Sequence, residues 1–209
     1  MSMLEHIELL RSNIHVIDGF SSEEELSKIL AECLAFSNWD NTWFDHKDEA
    51  QRTGRPDCKE RALVSSRALS FVSAKVGRRL SFLYEPYLRK YPIGSYLKMH
   101  ADSEGFYAEG PDPLRNYNPS NPVSEVLNEC SSILYLNDNY SGGELYFEGL
   151  DVLIKPKANQ LVFFPSGCEF RHEVRPISAG DRYTLASFYT TDKLLGLHEK
   201  IRSNPDSIG

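Results

Sequence analysis

The feature that most constrains this chain is a run of six short apolar segments in its C-terminal half, each closed by turn residues. They read SSILYLND from Ser131, GGELYFEGL from Gly142, DVLIKPK from Asp151, NQLVFFPSG from Asn159, FRHEVRPI from Phe170 and DRYTLASFYT from Asp181. Val, Ile, Phe and Tyr at these lengths favour strands, and the Gly, Pro, Asn and Asp between them favour turns. Short strands at this close, regular spacing with turn residues between point to a sandwich or barrel. Just upstream, FLYEPYLRKYPIGSYLKMHAD (Phe82 to Asp102) is aromatic-rich and alternating, with PIGS as a turn between two further strands.

The N-terminal part has a different texture. IHVIDGF reads as a short strand ending at Gly19. SSEEELSKILAECLAF then opens with capping signals, Ser21 with Glu24 and Ser22 with Glu25, and carries Leu26, Ile29, Leu30, Cys33 and Leu34 at helical spacing. Asn38 to Glu60 is polar and broken by Gly54 and Pro56, a long loop. A second helix is expected over Ser66 to Leu80, burying Leu69, Val72, Val76 and Leu80. The whole chain, 1–209, is expected to be one domain. Within it, 1–80 supplies a strand and supporting helices, 81–192 the β core, and 193–209 a poorly ordered tail.

Composition narrows the partners. A net charge of −7 argues against nucleic acid. The basic clusters (Arg52, Arg55, Lys59, Arg61; Lys75, Arg78, Arg79) read as solvated faces. No segment has the length of a membrane span, and MSMLEHIELLRSN, with Glu5 and Glu8, does not read as a signal peptide. Cys33, Cys58, Cys130 and Cys168 have neither zinc nor disulfide-framework spacing, so a reducing cytoplasm is the expected location.

Two His-x-Asp triplets stand out. His46-Lys47-Asp48 lies among charges in the long loop and reads as solvated. His100-Ala101-Asp102 ends a predicted strand, where alternation puts Tyr96, Lys98, His100 and Asp102 on one face and Leu97, Met99 and Ala101 on the other. A buried histidine and carboxylate need partners. Two imidazoles and a carboxylate on one face suit iron(II) with positions left open. His172 is the natural third ligand, although alone it is equally a core or surface histidine. Arg182, ten residues further on, is by itself an ordinary surface residue. Facing a buried carboxylate, however, its planar fork makes a bidentate pair.

These words together, YPIGSYLKMHAD, ILYLND, GGELYF, LVFFPS and HEVRPISAGDRYTLASFY, resemble the prolyl 4-hydroxylase group of iron(II)/2-oxoglutarate-dependent dioxygenases over roughly residues 80 to 190. The resemblance implies a mainly β (α+β) fold, a double-stranded β-helix or jelly roll with N-terminal supporting helices. It implies iron(II), 2-oxoglutarate and O2, and admits ascorbate. It makes His100, Asp102 and His172 the catalytic iron ligands and Arg182 the partner of the distal carboxylate of 2-oxoglutarate. Tyr135 matches the family tyrosine that hydrogen-bonds that carboxylate, and Tyr91 one that lines the cosubstrate pocket; both also read as strand packing. Thr184, two residues beyond Arg182, shares its strand face and reaches the same pocket. The carboxylate at Asp102 points to hydroxylation rather than halogenation.

The substrate implied is a peptidyl proline, hydroxylated with release of succinate and CO2. The alternatives are a free amino acid or small natural-product scaffold, and a non-catalytic metal- or 2-oxoglutarate-binding sensor. A zinc hydrolase gives no reason for Arg182 and Tyr135. Lid candidates are Ser103 to Ser124, with Phe106, Tyr107, Arg115 and Tyr117, and Asn38 to Glu60, with Trp39, Trp43 and Phe44. Neither the oligomeric state nor the stereochemistry is legible.

Overall fold

The computed structural model describes residues 2–40, 52–103 and 129–191. The larger antiparallel sheet runs in the order β1 (His15–Ile17), β10 (Leu161–Pro165), β6 (Cys130–Tyr135), β13 (Arg182–Thr190), β4 (Tyr87–Tyr91) and β2 (Arg52–Gly54), with β3 (Ser81–Phe82) also paired to β13. The smaller sheet is β5 (Leu97–His100), β11 (His172–Val174), β8 (Leu145–Phe147) and β9 (Val152–Ile154). A two-stranded ribbon joins β7 (Ser141–Gly142) to β12 (Ile177–Ala179).

The two sheets close on a shared core. Tyr91, Ile133, Tyr135, Val162 and Phe164 come from the larger sheet, and Leu97, Leu145, Phe147 and Val174 from the smaller. This is the jelly-roll arrangement that the resemblance implies, and a closed form of the sandwich or barrel expected from the strand pattern. The outer face of the larger sheet is covered by helices. Leu26, Ile29 and Cys33 of α2 (Glu23–Ala35), with Val64 and Ala68 of α3 (Lys59–Val76), pack on Leu88, Leu134, Tyr183 and Leu185. β6 is buried along its whole length because its alternate residues serve the two cores.

Several local expectations are refined. The capping box on α2 is Ser22 with Glu25, while Ser21 turns inward and bonds Asn159 through its N–H (2.8 Å) and hydroxyl (2.7 Å). α3 begins at Lys59, seven residues before the expected Ser66, and ends before Gly77, not at Leu80. Its N-cap, Cys58, makes no side-chain capping bond, so its start carries no sequence signal. The segment read as loop from Asn38 to Glu60 holds β2, bridged on its outer edge by Asp40. An unforeseen helix, α1 (Met3–Arg11), buries none of its residues and is anchored by Arg11 Nε donating to the Leu150 carbonyl at 2.7 Å.

His46, Asp48, Trp43 and Phe44, the candidate lid beyond Ser103, and the tail from 192 lie outside the described residues. Among the described residues no helix is long and apolar enough to cross a membrane.

Candidate metal and cosubstrate site

β5 and β11 bring the predicted ligands together. His100 and His172 are directly opposed in the antiparallel register, and the next aligned pair is Leu97 with Val174. Three residues on β5 therefore span two on β11, which is a β-bulge. The bulge corrects the simple alternation. Leu97, not Lys98, faces the core, Lys98 is exposed, and the extra residue re-aims His100 onto the same side as Leu97. Asp102 follows in a turn pinned by the Ser103 N–H donating to the Ser166 carbonyl at 3.1 Å.

The side chains of His100, Asp102 and His172 form the group among the described residues able to hold a metal ion, one donor atom from each lying within 4.8 Å of the others. His100 Nε2 is 3.3 Å from Asp102 Oδ1, and His172 Nε2 is 3.9 Å from Oδ2. Each ring is oriented by a carbonyl two residues earlier: His100 Nδ1 bonds Lys98 O at 2.8 Å and His172 Nδ1 bonds Phe170 O at 3.0 Å. Nδ1 therefore carries the proton and Nε2 presents its lone pair. Phe147 and Phe164 pack against the buried His172 ring.

The electrostatics suit a cation. Burial, with His100 alongside, pushes the His172 imidazole down to about 4, leaving it neutral at physiological pH. Burial alone would raise the Asp102 carboxyl. The facing His172 and His100 and the Ser131 hydroxyl outweigh it and hold the group below the ordinary carboxylate value. Two imidazole nitrogens and one ionised carboxylate on one side are a donor set that fits iron(II).

Arg182 is buried at 1% exposure on β13, its guanidinium 4.5 Å from the Tyr91 ring and 4.9 Å from the Tyr135 ring. Its Nε and Nη1, and the hydroxyls of Tyr135 and Tyr140, have no hydrogen-bond partner among the described residues. Buried donors without a closed hydrogen bond, on a guanidinium packed against the Tyr91 and Tyr135 rings, suit a carboxylate. Burial raises both phenols, Tyr140 to about 12, although Arg182 opposes this, so both keep their protons and donate.

Thr184, at 1% exposure, is aligned with Tyr135. Tyr91 is buried as the platform under Arg182, and its hydroxyl accepts from Arg89 at 3.4 Å. Sequence reading missed Tyr140 and Arg89. The only trace of Tyr140 is its place before GGELYF: a Cβ at Gly143 would lie 3.1 Å from Arg182 Cδ and 3.3 Å from Tyr140 Cε2, so the absence of a side chain there leaves the two close together.

Comparison with known proteins agrees with this geometry. A family model described as the 2OG-Fe(II) oxygenase superfamily matches residues 87–190. Over 98 residues the chain is 33% identical to prolyl 3-hydroxylase 2 of Rattus norvegicus, covering 44% of this chain and 14% of that protein. Over 88 residues it is 31% identical to prolyl 3-hydroxylase 1 of Gallus gallus, covering 40% and 12%. The chain thus matches only a small part of these relatives. A Trichoplax adhaerens prolyl hydroxylase, solved with a hypoxia inducible factor peptide fragment, superimposes with a TM-score of 0.71 at 21% identity, covering 91% of this chain and 90% of that one. A Pseudomonas putida prolyl-4-hydroxylase gives 0.61 at 18% identity, covering 91% and 99%.

The chain belongs to the 2OG-Fe(II) oxygenase superfamily, whose cofactor and cosubstrates are iron(II), 2-oxoglutarate and O2. Within that class it is similar to the prolyl hydroxylases.

Proposed function

We propose that this chain is a 2-oxoglutarate-dependent hydroxylase of a prolyl residue in a peptide or protein, with His100, Asp102 and His172 holding iron(II). The observation that carries the reading is the buried Arg182 fork, packed on the Tyr91 and Tyr135 rings with two nitrogens that close no hydrogen bond, in a chain that also brings His100, Asp102 and His172 together. Structural metal sites use all their ligands on the metal and have no need of such a fork.

Arg182 binds the distal carboxylate of 2-oxoglutarate, with the hydroxyls of Tyr135 and Tyr140 donating to the same group. Tyr91 forms the floor under the guanidinium, and Thr184 fills the strand face beside it. When bound, iron(II) with 2-oxoglutarate and O2 inserts one oxygen atom into an unactivated C–H bond, the other oxygen leaving in succinate as CO2 is released. The chain's part is to fix the carboxylate, orient the two imidazoles through Lys98 O and Phe170 O, and exclude water with Phe147, Phe164 and Tyr91. The peptide substrate is supported by the names of the relatives, which divide between carbons 3 and 4 of proline.

The test is to load the protein with iron(II) and 2-oxoglutarate without oxygen, admit oxygen, and quantify succinate with and without proline-containing peptides. Peptide-stimulated succinate matched by a gain of one oxygen in the peptide supports the reading. Succinate without peptide stimulation points to a free amino acid or small scaffold. Bound iron with no succinate under any condition points to a sensor.

A further inference from the structure

The imidazoles and the carboxylate of the metal group are held by different sheets. His100 and His172 belong to the β5–β11 pair of the smaller sheet. Asp102 lies past the end of β5, and what fixes it comes from the larger sheet. The Ser103 N–H donates to the Ser166 carbonyl at 3.1 Å, and the Ser166 N–H donates to the Glu129 carbonyl at 3.2 Å. The last aligned pair of β10 and β6 is Pro165 with Cys130, so the bond from Ser166 to Glu129 prolongs that ladder by one step, up to the turn that carries Asp102.

Ser131, the second residue of β6, stands at the centre of this arrangement. Alternation puts it on the face of Ile133 and Tyr135, which line the core shared by the two sheets. Ser132 is on the opposite face, where its hydroxyl bonds Tyr189 Oη at 2.7 Å. Ser131 is aligned with Phe164, whose ring packs on His172 with centroids 4.7 Å apart. It is 2% exposed, and its Oγ lies 2.9 Å from Ser166 Oγ. The same Ser131 hydroxyl hydrogen-bonds the Asp102 carboxylate.

An ionised carboxylate only accepts, and a hydroxyl has one hydrogen to give. Ser131 therefore donates to Asp102 and accepts from Ser166, a relay that ends on the carboxylate. We infer that Ser131 is a positioning residue: its hydroxyl, oriented by Ser166, holds the Asp102 carboxylate in the orientation that presents it to the metal alongside His100 and His172. The pair ties to the larger sheet the one ligand that the smaller sheet does not carry. The inference rests on the reading of His100, Asp102 and His172 as iron(II) ligands and names what fixes the third of them.

The test sets Ser131→Ala and Ser166→Ala against Ser132→Ala, which removes a buried hydroxyl from the same strand on its other face. Iron(II) affinity is read by anaerobic titration without 2-oxoglutarate or substrate. Ser131→Ala is expected to weaken iron(II) binding about tenfold or more, the usual effect of removing a partner that orients a metal ligand. Ser166→Ala leaves the Ser131 hydroxyl in place but no longer oriented, and should weaken binding about threefold. Ser132→Ala should change it less than about twofold. Cobalt(II), bound in place of iron(II), reports the arrangement of the ligands: its visible bands should shift in Ser131→Ala and keep their positions in Ser132→Ala. Ser166→Ala carries the test if Ser131→Ala does not fold.

Unchanged iron(II) affinity and cobalt bands in folded Ser131→Ala, or in Ser166→Ala where that variant alone folds, would overturn the inference and leave the metal site standing. Equal losses in Ser131→Ala and Ser132→Ala would also overturn it, since general loosening of the strand explains them. A native chain that binds no iron(II) overturns both the inference and the reading beneath it. Weakened iron(II) binding in Ser131→Ala, from a native chain that releases no succinate with any peptide, supports the inference and faults the hydroxylase reading alone.

Discussion

His172 stands directly opposite His100 across the β5–β11 pair, with ring centroids 4.4 Å apart, and the bulge that follows puts Leu97 on the same side as the two imidazoles. The metal group is thus built from a strand pairing rather than from a local motif.

If the two imidazoles and Asp102 hold the metal, removing one ligand should remove the metal. His172→Ala and Asp102→Asn are expected to lower iron(II) affinity at least about a hundredfold, read by anaerobic titration. Metal that binds the folded chain also stabilises it, by about 2.7 kcal/mol at one hundred times the dissociation constant. The native chain should therefore unfold at a higher temperature with iron(II) than after chelation, and Asp102→Asn should lose that difference.

In the proposed function the Arg182 fork and the phenols of Tyr135 and Tyr140 share the distal carboxylate of 2-oxoglutarate. Arg182→Lys keeps a charge without the bidentate geometry and is expected to weaken 2-oxoglutarate binding about tenfold. Tyr135→Phe and Tyr140→Phe each remove one donor and should cost about 1 kcal/mol, close to fivefold. Titration of 2-oxoglutarate into the iron(II) protein without oxygen measures all three. Unchanged affinity in Tyr140→Phe would remove that residue from the site.

Gly143 has a φ of +70°, and a Cβ there would lie 2.4 Å from Ile177 Cδ1 and 3.1 Å from Arg182 Cδ. Gly142 has a φ of +78°, and its Cβ would lie 2.1 Å from the Pro176 carbonyl oxygen. Gly142→Ala presses on backbone and should cost about 2 kcal/mol or more of stability by chemical denaturation. Gly143→Ala presses on side chains that include Arg182, so it should weaken 2-oxoglutarate binding more than it lowers stability.

The pair Glu25–Arg67, with Arg67 Nη2 2.6 Å from Glu25 Oε1, ties α2 to α3. Hydrogen bonding from Arg67, together with the Ser22 N–H, brings the Glu25 carboxyl from 4.5 down to about 2. A depressed carboxylate stabilises the fold above its unfolded value and loses that contribution as pH falls through the folded one. Glu25→Gln should lower the unfolding midpoint at pH 7, by a fraction of a kcal/mol after solvent screening. The difference from the native chain should shrink as pH falls from about 4.5 towards about 2. A difference constant with pH would mean that the capping bond, not the charge, carries the effect.

What the sequence determined by itself was the local chemistry. The spaced strand segments specified a closed antiparallel core, and Ser22 with Glu25 specified the start of α2. That His100, Asp102 and His172 come together, and Arg182 with Tyr135, was legible because an ordered set of residue types carries more information than any one of them. The start of α3 was not legible, since Cys58 gives no cap, nor was α1, which buries none of its residues. Only the tertiary structure decided which β5 residue joins His100 on the inner side. Alternation puts Lys98 there, and the pairing with β11, a strand some seventy positions downstream, inserts the bulge that puts Leu97 there instead and leaves Lys98 exposed. The same holds for Arg89 and Tyr140: an arginine in a strand and a tyrosine in a turn look like surface residues until two sheets close over them. Burial is a property of what packs against a residue, and those partners come from distant parts of the chain.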